Sequence, residues 1–132
     1  MPLTITALYA GILALLMLWL AAGVIGIRRS KAISLGDGGD ELLERRIRGH
    51  ANATETIPIA LILLALCELI GAPALVLHLL GITLVVGRAM HGVHFRETRP
   101  GITLRFWGML MTVVAIALMA LGLIAHSLIG LF

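Results

Sequence analysis

The sequence predicts an all-α membrane protein, an antiparallel bundle of four transmembrane helices, and three observations carry that prediction. Of the 132 residues, 60% are hydrophobic and 13% charged, whereas soluble domains are about half apolar and a quarter charged. Four apolar stretches are each long enough to cross a hydrocarbon core of roughly 30 Å, which needs about 20 helical residues. All ten Lys and Arg side chains flank the first and third connections between those stretches, and the second connection and both ends carry none.

The first helix is expected over about 2–27, a segment without charge that lacks the basic flank and short apolar region of a signal peptide. A polar connection follows, with turn residues in Ser34-Leu35-Gly36-Asp37-Gly38-Gly39-Asp40. It has no following Gly-Lys-Ser/Thr and is therefore a loop and not a phosphate cradle. The run Glu41-Leu42-Leu43-Glu44-Arg45-Arg46 starts the second helix, predicted over about 41–70, with Pro58 inside it. Gly71 supplies a C-terminal cap and Pro73 opens the third helix, over about 73–93, so helices two and three form a hairpin. Arg96-Glu97-Thr98-Arg99-Pro100 separates it from the fourth, over about 101–130. The whole is read as one membrane domain.

Arg28, Arg29, Lys31, Arg45, Arg46 and Arg48 lie around the first connection, and Arg88, Arg96, Arg99 and Arg105 around the third. By the positive-inside rule both connections are cytoplasmic, and the termini and second connection face outward. The excess of basic residues does not indicate nucleic acid, because no basic stripe with interleaved aromatics or nucleic-acid motif is present. A single cysteine, Cys67, excludes an internal disulfide and a Cys-based metal site, so no metal is expected. His78 and His126 fall near the outer boundary and read as interfacial.

The polar residues inside the spans need a reason. Counted from the hairpin between helices two and three, Glu55 and Arg88 lie at the same depth, each fifteen residues from the outer turn. They are expected to pair, because an unpaired carboxylate in the hydrocarbon is costly. Asn52 and His91 match one turn nearer the cytoplasm, each eighteen residues from that turn, and Arg48 lies one turn further. Arg48, Asn52 and Glu55 stand at i, i+4 and i+7, one helix face, which is expected to point into the protein. The lane is about 10 Å deep, the length of an extended tripeptide.

The segment from Glu44 to Pro58, with its spacing Arg48-x3-Asn52-x2-Glu55-x2-Pro58, resembles the MAPEG family, which includes the microsomal glutathione transferases, leukotriene C synthase and five-lipoxygenase-activating protein. The four-helix layout extends the resemblance over essentially the whole chain and points to the bacterial branch, hence to a bacterial inner membrane. The resemblance implies a homotrimer that binds glutathione between subunits near the cytoplasmic face and admits an apolar electrophile from the lipid. It implies a glutathione-dependent transferase or peroxidase, with a non-catalytic lipid- or partner-binding trimer as the alternative. Residue by residue, Arg48, Asn52 and Glu55 match the glutathione-binding motif and Arg88 the basic residue of helix three. Arg28 or Arg29 resembles a further ligand-contacting arginine. Arg105, with Arg99 as the competing position, resembles the arginine that stabilises the glutathione thiolate. Where the family's enzymes often carry tyrosines, this chain has Thr56, His91 and Phe95, and His91 is expected to donate a hydrogen bond to the peptide in their place.

Overall fold

The computed structural model describes residues 2–97 and 101–130. They form α1 (Thr4–Lys31), α2 (Glu41–Leu69), α3 (Ala74–Arg96) and α4 (Ile102–Ile129), with no strand among the described residues. All four are long and apolar enough to cross a membrane. α3 packs on each of the other three helices, and α2 also touches both α1 and α4.

Two helices outrun their predicted ends on the basic side. α1 continues past residue 27 to Lys31, where Ala32 adopts a left-handed conformation (φ 53°) and its N–H reaches the carbonyls of Arg28 and Arg29. Arg28, Arg29 and Lys31 fall in that last turn, where cations favour the negative end of the helix dipole. α3 likewise continues past 93 to Arg96. Charge marks where a helix leaves the hydrocarbon, and not where it stops. Asp40 caps α2, its carboxylate accepting from the Leu43 N–H at 2.7 Å. The same side chain pairs with Lys31, the one ion pair among the described residues, and ties the end of α1 to the start of α2. Lys31 and the Leu43 amide hold the Asp40 carboxyl below its ordinary range.

At the opposite end Glu68 is buried and accepts from the Ile5 and Thr6 N–H groups at 2.9 and 2.7 Å, so a carboxylate from α2 caps the first turn of α1. His78, expected at the interface, is half-buried, and its Nδ1 lies 2.9 Å from the hydroxyl of Tyr9. The ring of Tyr9 covers Gly81, where an added Cβ would lie 2.3 Å from it. α3 and α4 approach closely at Gly87 and Gly108: a Cβ on Gly108 would stand 2.6 Å from the Gly87 carbonyl oxygen. Small residues that let backbones meet are a usual means of holding helices together where lipid removes the hydrophobic drive. Leucines and isoleucines such as Leu15, Leu18, Ile62, Leu79, Ile82, Leu118 and Leu121 face outward, as a hydrocarbon solvent allows.

Candidate functional site

The site begins with a buried guanidinium. Arg88 is 2% exposed, and its cost in an apolar interior is offset only if its donors are satisfied. Nη1 donates to Asn52 Oδ1 at 2.7 Å and to Thr56 Oγ1 at 2.9 Å, both on α2. Nε donates to Thr112 Oγ1 on α4 at 2.9 Å, and Nη2 approaches the sulfur of Met109 at 3.7 Å. The Thr112 hydroxyl in turn donates to the Gly108 carbonyl at 2.9 Å. Arg88 therefore ties α2, α3 and α4 together at one level. The close passage of Gly87 and Gly108 brings α4 near enough for Thr112 to be reached.

This arrangement overturns the expected pairing of Arg88 with Glu55. Glu55 is exposed on the surface of the single chain and makes no ion pair among the described residues. Depth was read correctly and azimuth was not. At about 100° per residue, Thr56 lies about 40° from Asn52 on one side and Glu55 about 60° away on the other. Arg88 approaches from the Thr56 side. Arg48 falls on the Glu55 side and is also exposed, so that stripe points off the chain and not into it, with Asn52 at the boundary.

Next to Asn52 a cavity of about 280 Å³ is lined by Arg48, Asn52, His91, Phe95 and Arg105. Four of the seven residues singled out in the sequence meet here, from α2, α3 and α4. Because the carbonyl end of Asn52 is held by Arg88, its amide nitrogen is the end available to a ligand. His91 is buried, its ring 4.9 Å from that of Phe95. Phe95 in turn lies against α2, where Gly49 leaves room: a Cβ at Gly49 would come 2.5 Å from that of Phe95. The guanidiniums of Arg105 and Arg45 stand 5.7 and 5.9 Å from the centre of the Phe95 ring, within cation–π range. Among the described residues no acidic side chain lines the cavity. Two arginines at its wall and a third behind Asn52 suit it to an anionic, hydrogen-bonding ligand.

Arg105 also borders a second space, an apolar groove of about 410 Å³ along α4 lined by Ile102, Phe106, Met109, Leu110 and Val113. One guanidinium thus stands where a polar chamber meets a lipid-facing groove. Arg28 is not brought to either; it donates to the Ile33 carbonyl at 3.4 Å at the end of α1. Arg99 lies outside the described residues.

The sequence does not single out Thr112 or Thr56 as acceptors for Arg88, or Phe95 as a wall of the cavity. Thr112 carried a signal, a hydroxyl two turns beyond Arg105 in an otherwise apolar stretch of α4.

A sequence model of the MAPEG family matches residues 6–125. The inner membrane protein YecN of Escherichia coli strain K12 is 39% identical over 116 residues, covering 84% of this chain and 88% of that protein. The YecN of an Escherichia coli O6:H1 strain gives the same identity and coverage. The match spans all four helices and the residues of the cavity, and the chain belongs to the MAPEG family.

Proposed function

We propose that this protein is an inner-membrane, glutathione-dependent transferase or peroxidase that acts on hydrophobic electrophiles. The observation that carries the reading is the position of Arg105 between the polar chamber and the apolar groove. A tripeptide thiol seated against Arg48, Asn52 and His91 presents its carboxylates to arginine and its sulfur toward Arg105. The electrophile reaches the same guanidinium along the α4 groove. Arg105 stabilises the thiolate over the thiol, whose proton passes to water. The sulfur then forms the new C–S bond as the leaving group departs with its electron pair. Holding the two reactants on either side of one charge supplies proximity as well as electrostatic stabilisation.

Glu55 and Arg48, exposed at membrane depth, favour assembly, because a carboxylate facing hydrocarbon is costly and a neighbouring chain covers it. The expected assembly is a homotrimer in which Arg28 of one chain completes the chamber of the next. The positive-inside rule sets the chamber at the cytoplasmic side and the termini outside.

The test is turnover of chlorodinitrobenzene by purified protein with glutathione. Arg105→Ala is expected to lower kcat about 100-fold, the scale of one lost oxyanion-type donor, while glutathione still raises the melting temperature. A chain that neither binds glutathione nor turns over the electrophile contradicts the reading. The presence of Thr56, His91 and Phe95 at positions of the family's tyrosines favours a second reading, a non-catalytic trimer that binds lipid or a partner. It predicts binding to the chamber without turnover, and biological activity that survives Arg105→Ala.

A further inference from the structure

We propose that the face formed by α1 and α3 holds one anionic phospholipid, its phosphate on Arg46 and Arg96 and an acyl chain in the groove beneath them. Both arginines flank the basic connections, yet neither side chain simply extends into water. Arg96 turns back onto α1: its Nη1 donates to the Trp19 carbonyl at 2.8 Å, and its guanidinium carbon lies 4.4 Å from the centre of the Trp19 ring. Arg46 crosses from α2 and donates to the Gly23 carbonyl at 3.1 Å. Both guanidiniums converge on Gly23, with Arg96 Cζ and Arg46 Nη1 at 3.5 and 3.6 Å from the position of a Cβ there. Two cations are thereby brought within about 7 Å of each other.

Among the described residues no carboxylate neutralises them, and Arg46 Nε is buried with no hydrogen-bond acceptor there. Two like charges held together repel unless an anion lies between them. A phosphate diester offers two charged oxygens that suit guanidinium donors.

The source of that phosphate follows from what lies alongside. Trp19 is at once the stacking partner of Arg96 and the upper wall of an apolar groove of about 400 Å³, completed by Leu15, Leu16, Ala89 and Val93. Gly92 lets the indole lie close on α3, where a Cβ would come 3.1 Å from Trp19 Cζ3. Trp19 and Gly23 stand fifteen and nineteen residues along α1 from Thr4. At about 1.5 Å per residue this is roughly 22 and 28 Å from its outer end, the inner edge of a hydrocarbon core of roughly 30 Å. Charge pair, interfacial indole and apolar groove are therefore stacked in the order of a lipid's headgroup, glycerol region and chain. The face is separate from the glutathione chamber, which lies among α2, α3 and α4.

Native mass spectrometry of detergent-purified protein, titrated with phosphatidylglycerol and phosphatidylcholine of identical acyl chains, tests this. Phosphatidylglycerol is expected to saturate at one per chain with at least about tenfold preference over phosphatidylcholine, the scale of about 1.4 kcal/mol. Arg46→Gln with Arg96→Gln should abolish the preference. Ala89→Trp, which fills the groove and leaves both guanidiniums, should weaken retention about tenfold and keeps the test open if the double variant fails to fold. Glycerophosphoglycerol, the headgroup without chains, should displace the lipid poorly. Equal retention of the two lipids, a preference that survives the double variant, an indifferent Ala89→Trp, or displacement by the headgroup as effective as by the lipid would each overturn the proposal.

Discussion

The residue on which the basic half of the bundle depends is Arg88. Its burial is tolerable because Asn52, Thr56 and Thr112 accept from it. Arg88→Leu, which strands those groups, is expected to destabilise the fold by about 2–3 kcal/mol, read as a lower melting temperature in detergent. Asn52→Leu leaves a buried cation short of an acceptor and should cost a similar amount. Glu55→Gln, by contrast, should leave the isolated chain's stability within about 0.5 kcal/mol, since Glu55 is exposed and has no ion-pair partner among the described residues. That contrast shows what a sequence reveals about such residues. Counting along helices gave the depth of Arg88, Asn52 and His91, because rise per residue is fixed. It did not give which side of Asn52 the guanidinium approaches, because that depends on how α2 is rotated against α3. Asp40 offers a pH test outside the membrane. Lys31 and the Leu43 amide depress its pKa, so its stabilisation is complete above the ordinary carboxylate value and is lost as pH falls through the depressed one. Its side-chain NMR resonance should titrate below that of free aspartate, and Lys31→Gln should move it upward.

At the scale of the element, contact between helices is set by glycines as much as by large side chains. Gly108→Ala puts a Cβ against the Gly87 carbonyl and the His91 backbone nitrogen, at 2.6 and 2.7 Å, and backbone cannot rotate away. α4 must move off α3, which should cost about 1–3 kcal/mol and lengthen the Arg88 to Thr112 bond. Gly81→Ala meets the Tyr9 ring first, so it should displace that ring from His78 and disturb the end of the bundle opposite the basic residues while leaving the chamber intact. A melting temperature for Gly108→Ala equal to wild type would contradict this reading of the α3 and α4 contact. The helices themselves were legible from hydropathy, and the start of α2 from Asp40 and the acidic first turn. Their ends on the basic side were not, because α1 and α3 run on through basic residues that mark the membrane boundary. The cap that Glu68 places on α1 joins residues over sixty apart in sequence, and no local pattern announces it.

For the whole molecule, four spans with one-sided basic residues could be read directly, and the gathering of Arg48, Asn52, His91 and Arg105 around one cavity accords with depth counting combined with family resemblance. The apolar groove that shares Arg105 could not be read, since it depends on the outer faces of Phe106, Met109 and Val113 along α4. The central claim is that the chamber holds glutathione with its sulfur at Arg105. An experimentally determined structure of the lipid-embedded protein at saturating glutathione tests it most directly. The sulfur is expected within hydrogen-bond reach of the Arg105 guanidinium and the peptide against Arg48, Asn52 and His91. A chamber empty at saturation, or glutathione bound with its sulfur turned away from Arg105, would contradict it.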